Sequence, residues 1–258
     1  MQKVPSSDGT AIAYESTGNG PAIVLLNGAF RDHTIFDSLV PMLTDRCTTY
    51  AYDRRGRGMS GDAPTYSIDR EIDDLAAVIE AAGGGAVVFA GSCGANLALE
   101  AVLAGVPITK LALHEPFYRA EGYPTPPQDF ADRLRALLAD GDRDAAAELF
   151  LGDFIGLSLE TIEQWRQGPI WAANEANAAT LLYDTIICGD HRVPVSRLAS
   201  VSTPSLVLNS EGTSEWLRAA AQATGDALPN GRTLELPGSW HRIDTEILAR
   251  VLNGFVTT

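Results

Sequence analysis

Cysteine is scarce in this 258-residue chain: three residues, Cys47, Cys93 and Cys188, odd in number and widely spaced. They offer no disulfide framework and no CxxC pair for zinc, and such a set fits the cytoplasm. Long apolar runs are missing too. The longest, such as Ala86 to Ala90, are strand-sized, far short of the roughly 18 to 20 residues that span a bilayer. The opening MQKVPSSDGT lacks the apolar segment of a secretory signal. Positive charge is under-represented: 19 Lys and Arg stand against 33 Asp and Glu, for a net charge of −14. A chain this acidic repels phosphate backbones, which argues against nucleic acid. No metal-ligand cluster appears, and Gly56-x-Gly58 is too short for a dinucleotide fingerprint. Neither metal nor cofactor is therefore expected.

What is present reads as an α/β protein. Thr10 to Glu15 and Pro21 to Leu26 form the first strands; the second is a continuous apolar run ending at Asn27-Gly28, as in a strand covered on both faces. Phe36 to Leu43 reads as a helix and Cys47 to Tyr52 as a strand. From Ser67 to Ala82, residues Ile68, Ile72, Leu75, Val78 and Ile79 recur at helical period, with Ser67 or Asp69 as cap and Gly83-Gly84-Gly85 as stop. Ala86 to Gly91 is a strand, Gly94 to Ala104 a helix and Lys110 to His114 a strand. The rhythm then changes. Phe130 to Ala139, Arg143 to Phe150, Leu159 to Arg166 and Asn174 to Ile187 are helical with no strand between them. Strands and helices alternate again from Pro204 (strand to Leu208, helix Trp216 to Leu228, strand Thr233 to Leu236) and end in a helix from Asp244 to Phe255. The expected organisation is a core of residues 1–116 and 196–258 with a helical lid at 117–195.

The strand-to-helix junction Ala90-Gly91-Ser92-Cys93-Gly94-Ala95 carries the chemistry. A sharp turn there needs small residues around its centre, and it lifts the central side chain above the sheet at a helix N-terminus. Backbone N–H groups and the helix dipole there favour developing negative charge. Ser92 fits the centre, flanked by Ala90 and Gly94. A shifted register would centre Cys93, and a thiolate also suits a helix N-terminus; the spacing to the helix around Leu97 favours Ser92.

With Asn27-Gly28 after one strand, Asp53-Arg54-Arg55-Gly56-Arg57-Gly58-Met59-Ser60 after another, and Gly238-Ser239-Trp240-His241 near the end, the chain resembles the α/β-hydrolase superfamily over nearly its whole length. The usual G-x-S-x-G elbow begins here with Ala90. The resemblance implies a mostly parallel sheet flanked by helices with an inserted helical lid. It makes Ser92 the nucleophile and His241 its base, with backbone N–H groups of Ala29 and Cys93 as the oxyanion hole. The acid is less direct: the usual Asp position holds Thr213. Some members place a carboxylate after the preceding strand, where Glu115 stands; Glu211 is the alternative. His114 is expected to be packed, His33 to lie at the site rim and His191 at the surface. Asn27, Phe30, Trp165, Trp171, Trp216 and Trp240 are candidate substrate-binding residues. The Asp53–Gly58 loop is read as structural bracing. A serine at the elbow points to a hydrophobic carboxylic ester or lactone as substrate, and the acidic lid argues against a highly anionic one. A non-catalytic small-molecule receptor, or lyase or haloperoxidase chemistry, is the alternative on the same fold. The partner is a small hydrophobic molecule, met by a monomer or homodimer.

Overall fold

A computed structural model describes residues 1–257. Eight strands form one sheet: β1 (Gln2–Pro5), β2 (Ala11–Gly18), β3 (Ala22–Leu26), β4 (Thr48–Tyr52), β5 (Ala86–Gly91), β6 (Ile108–His114), β7 (Ser205–Ser210) and β8 (Gly231–Leu236). Their order is β1-β2-β4-β3-β5-β6-β7-β8. β2 runs antiparallel to both β1 and β4, and every pair from β4 to β8 is parallel. A separate hairpin pairs β9 (Gly238–Ser239) with β10 (Arg242–Ile243). The helices are α1 (Val40–Leu43), α2 (Ile68–Ala81), α3 (Cys93–Leu103), α4 (Phe130–Ala139), α5 (Arg143–Leu149), α6 (Leu159–Arg166), α7 (Ile170–Asn177), α8 (Leu181–Ile187), α9 (Val195–Leu198), α10 (Glu215–Ala227) and α11 (Thr245–Thr257). Six of them, α4 to α9, sit between β6 and β7 as an inserted helical region.

Alternation along the strands divides the core. Val24, Leu26, Val88, Ala90, Leu111, Leu113 and Val207 pack on one face with residues of α2, α3 and α10. Ile23, Leu25, Val87, Phe89, Ala112, Leu206 and Leu208 pack on the other, against Leu43, Leu248 and Leu252. Because side chains of a strand alternate faces, a continuous apolar run such as β3 needs cover on both. A third cluster unites the inserted helices (Phe130, Phe150, Phe154, Trp171) with Phe30, Cys93 and Phe117, in the segments that follow the central strands β3, β5 and β6.

Three details differ from the sequence reading. The helix expected over Phe36 to Leu43 is a 3-10 turn at His33–Phe36 and the four-residue α1. Pro41 is the reason: it lacks an N–H and restricts the residue before it, so it is tolerated only in a helix's first turn. The helix expected from Asn174 to Ile187 is α7 and α8 joined by a 3-10 turn at Ala178–Thr180. There the Thr180 hydroxyl donates to the Asn177 carbonyl and accepts from Arg57 Nε at 2.9 Å. Edge strand β1 lies outside the expected strands, since no apolar alternation marks it. Ser67 caps α2, its hydroxyl accepting from the Arg70 amide, and Gly83 and Gly84 end that helix with positive φ.

The loop after β4 is braced by buried charge. Arg54 pairs with Glu71 and Asp184, Arg57 with Asp184 at 2.7 Å, and Arg55 with Asp74 and Asp8. Asp184 belongs to α8, so one carboxylate holds two loop guanidinia to the inserted helices. Removing one member of a buried ion pair leaves its partner's charge uncompensated. Asp184→Ala is therefore expected to cost about 3–5 kcal/mol, read by urea unfolding. A loss under about 1 kcal/mol, the range of exposed pairs, would show that this network does not stabilise the fold.

Candidate active site

Strand β5 ends at Gly91 and α3 begins at Cys93, so Ser92 alone makes the turn, with φ 56° and ψ −131°. Such a conformation is strained for a residue with a Cβ. Its neighbours explain how it is accommodated. A Cβ on Gly94 would run into the Asn27 carbonyl oxygen, and one on Gly28 would come within 2.8 Å of the Ser92 Cβ. The missing side chains let the loop after β3 close against the elbow. The Ser92 amide donates to the His114 carbonyl at 2.9 Å, pinning the turn to β6.

Glu115 follows β6, beside the elbow, because Gly91 pairs with His114 across the sheet. Its fully buried carboxylate accepts from the Ser210 amide and hydroxyl at 2.9 Å each, and its second oxygen is hydrogen-bonded to His241 Nδ1. His241 sits at the tip of the two-residue β9–β10 turn with φ 52°, its ring stacked on His114 at 5.4 Å. Residue 114 thus joins the elbow and His241: its carbonyl holds Ser92 and its ring covers the imidazole. Burial would raise the Glu115 carboxyl, but the imidazoles of His114 and His241 beside it, the second hydrogen-bonded to it, hold it well below the usual carboxylate range. Burial pushes the His114 imidazole down, towards the neutral form. A carboxylate facing Nδ1 fixes the proton there and leaves Nε2 as an acceptor.

Among the described residues, five non-glycine residues have positive φ: Phe30, Ser92, Glu115, His191 and His241. Three of them are Ser92, Glu115 and His241, and a fourth, Phe30, lies in the loop that closes on Ser92. Strain concentrated in this way marks a site held in place by the surrounding fold.

That loop is tethered from below. Arg57 Nη1 donates to the Gly28 carbonyl at 2.5 Å, to Asn27 Oδ1 at 3.2 Å and to the Arg31 carbonyl at 3.3 Å. The carbonyl of residue 28 and the amide of residue 29 share one rigid plane and point in opposite directions. Holding the Gly28 oxygen therefore aims the Ala29 N–H away from Arg57. Among the described residues, neither the Ala29 nor the Cys93 amide donates to a protein acceptor, as expected at the first position of a helix for Cys93. The sequence reading saw bracing in Arg57 but missed this reach, which no local spacing signals.

The remaining candidates separate. Glu211 is exposed and bonds through its backbone to Leu236 and Arg218, not to His241. Thr213 is buried. The Asn27 side chain is occupied within the protein, by Tyr52 and Arg57. Phe30 is buried edge-on to Phe150. Trp240 lies between His241 at 5.5 Å and Trp165 of α6 at 6.0 Å, so the inserted helices reach the imidazole. Trp216 packs on Phe117 at 5.1 Å. Trp171 is held inside the helical layer, its indole N–H on Asp144 and Arg166 over its ring. His33 bonds Asp53 at 2.7 Å. His191, expected at the surface, is half-buried against Phe154. Among the described residues, two groups have donors spaced for a metal: His114, Glu115 and His241, and Asp32, His33 and Asp53. In each, an imidazole nitrogen is already bonded to a carboxylate.

A family model described as the alpha/beta hydrolase family matches residues 23–246. Among solved structures, an alpha/beta hydrolase from Sphaerobacter thermophilus is 44% identical over 98% of this chain and 99% of its own, with a TM-score of 0.95. An esterase from Exiguobacterium antarcticum shares the fold at 20% identity and a TM-score of 0.77, covering 100% of this chain and 99% of its own. Of the curated relatives, the probable oxidoreductase EphD of Mycobacterium tuberculosis is 38% identical over 81 residues, 30% of this chain and 14% of that protein. The 2-(acetamidomethylene)succinate hydrolase of Mesorhizobium japonicum is 36% identical over 81 residues, 31% of this chain and 29% of that one. The match thus spans less than a third of either curated relative's length. No helix is long and apolar enough to cross a membrane among the described residues. Matched from β3 into α11 and along its whole length by a relative 44% identical, the chain belongs to the alpha/beta hydrolase family.

Proposed function

We propose that this hydrolase-class enzyme cleaves a carboxylic ester or lactone with an apolar body through an acyl-enzyme on Ser92. The observation that carries the reading is the Glu115–His241 hydrogen bond beside a serine held at φ 56° on the neighbouring strand end. Ser92 Oγ attacks the carbonyl while His241 Nε2 takes its proton, then returns it to the leaving oxygen. Glu115 holds the imidazole tautomer and stabilises the imidazolium. The Ala29 and Cys93 amides receive the oxyanion, and Arg57 is a positioning residue for the first of them. Water, deprotonated by His241, then releases the acid. Residues 117–195 act as a cap over residues 1–116 and 196–258, and the contact of Trp165 with Trp240 supports that division. The cap aromatics favour an apolar substrate body.

A fluorophosphonate probe followed by peptide mapping tests the assignment. A single adduct on Ser92 is expected. An adduct on Cys93, or none on a folded protein that turns over p-nitrophenyl esters, would overturn it.

A further inference from the structure

Four arginines are fully or almost fully buried: Arg54, Arg55, Arg57 and Arg119. The first three each meet a carboxylate. Arg119 does not. Its neighbours include the Cys188 and Cys93 thiols and the like-charged Arg192, with no carboxylate among them. Its Nε donates to the Pro124 carbonyl at 3.2 Å and its Nη2 to the Phe154 carbonyl at 2.7 Å. A guanidinium has five N–H donors, so three remain. Among the described residues its Nη1 has no partner, yet it is not among the polar atoms sealed off without one, so it faces reachable space. Burial lowers the Arg119 pKa to about 10, and the group stays charged at neutral pH.

Its surroundings tie that charge to the apolar cluster that reaches the elbow. The guanidinium lies 3.5 Å from the Trp216 ring centroid and 5.1 Å from that of Phe117. Phe117 belongs to the same apolar cluster as Cys93 and Phe30, with Ala29 and Trp216 packed against it. Cys93 in that cluster and Ala29 packed against it are the two residues whose amides face the proposed oxyanion. Rings on one side and carbonyls on another hold the guanidinium flat and rigid, so little freedom is lost when a planar anion docks on its open edge. A buried cation with no counter-ion is costly unless a ligand supplies one.

We propose that Arg119 is an anion subsite in the active-site pocket, and that the substrate is an ester or lactone bearing one carboxylate on its apolar body. The proposal rests on the serine-hydrolase reading and narrows its substrate class. It also fits the acidic cap: residues such as Asp129 and Asp132 are exposed and disfavour a multiply charged ligand, whereas one carboxylate is neutralised once inside.

The test compares two p-nitrophenyl esters of equal acyl length, the monoester of glutaric acid and the pentanoate, which differ by a terminal carboxylate against a methyl. Arg119→Gln is expected to lower the ratio of kcat/KM for the charged over the neutral ester by about tenfold or more, through KM for the charged one, with Arg119→Lys between it and the parent. A ratio unchanged in a folded Arg119→Gln protein overturns the proposal. Should that variant not fold, calorimetric titration of the Ser92→Ala protein decides: monomethyl glutarate is expected to bind about tenfold more tightly than methyl pentanoate, and equal affinity overturns the subsite. Failure of the underlying hydrolase reading would look different. It would appear as no fluorophosphonate adduct on Ser92, whereas an adduct with an unchanged ester ratio removes Arg119 alone.

Discussion

Ser92→Ala is expected to lower kcat for p-nitrophenyl esters by about 10⁴-fold or more while leaving the fold in place. The two halves of that expectation have separate causes. Alanine meets the same backbone strain at φ 56° as serine does, so the elbow loses only a hydroxyl that makes no capping hydrogen bond to α3. Stability should stay within about 1 kcal/mol of the parent, as for substitutions that touch no packing or buried network. In the proposed mechanism chemistry then loses its nucleophile, and what remains is stabilisation of a water attack by the two amides and the pocket. Initial rates and a thermal melt on the same preparation give both numbers. Turnover within tenfold of the parent, from a protein melting normally, would remove Ser92 from the mechanism.

For Glu115→Gln we expect kcat to fall by about 10²- to 10⁴-fold, against less than about threefold for Glu211→Gln. The reasoning is about one proton. Glu115 accepts on both oxygens, from Ser210 and from His241 Nδ1. A glutamine keeps one oxygen for Ser210 and turns an NH₂ donor towards the imidazole. Nδ1 must then become the acceptor, the ring proton moves to Nε2, and Nε2 can no longer take the Ser92 proton. Glu211 is exposed and touches no imidazole, so its charge is screened by water. Equal small losses in the two variants would sink the assignment of the acid. A stability readout accompanies the kinetic one. The folded-state pKa of Glu115 is depressed, so its contribution is fully present above its unfolded value of about 4.3 and is lost as pH falls towards the folded value. The stability gap between the parent and Glu115→Gln should therefore shrink below about pH 4.3. A gap constant from pH 7 to pH 3 would contradict that linkage.

The residues themselves determined the local structures that rest on near neighbours. The apolar run of β3, the helical period of α2 with its Ser67 cap, and the small residues around Ser92 each state their conformation within a few positions, because backbone sterics and strand or helix periodicity act at short range. Pro41 is equally local in its effect, and it limits the expected helix to the four residues of α1. Tertiary structure alone decided the rest. Glu115 meets His241 because β6 and β7 are neighbours and a two-residue hairpin lifts the imidazole to them, across 126 positions of chain. At Thr180 the inserted helices break into α7 and α8, where Arg57 comes to meet its hydroxyl from a distant loop. Nothing near Arg119 in the sequence marks it as the buried arginine without a carboxylate, since the presence or absence of a counter-ion is a fact about what folds against it. Charge pairing and tautomer choice depend on distances of a few ångströms between remote segments, and those exist only once the sheet has been ordered and capped.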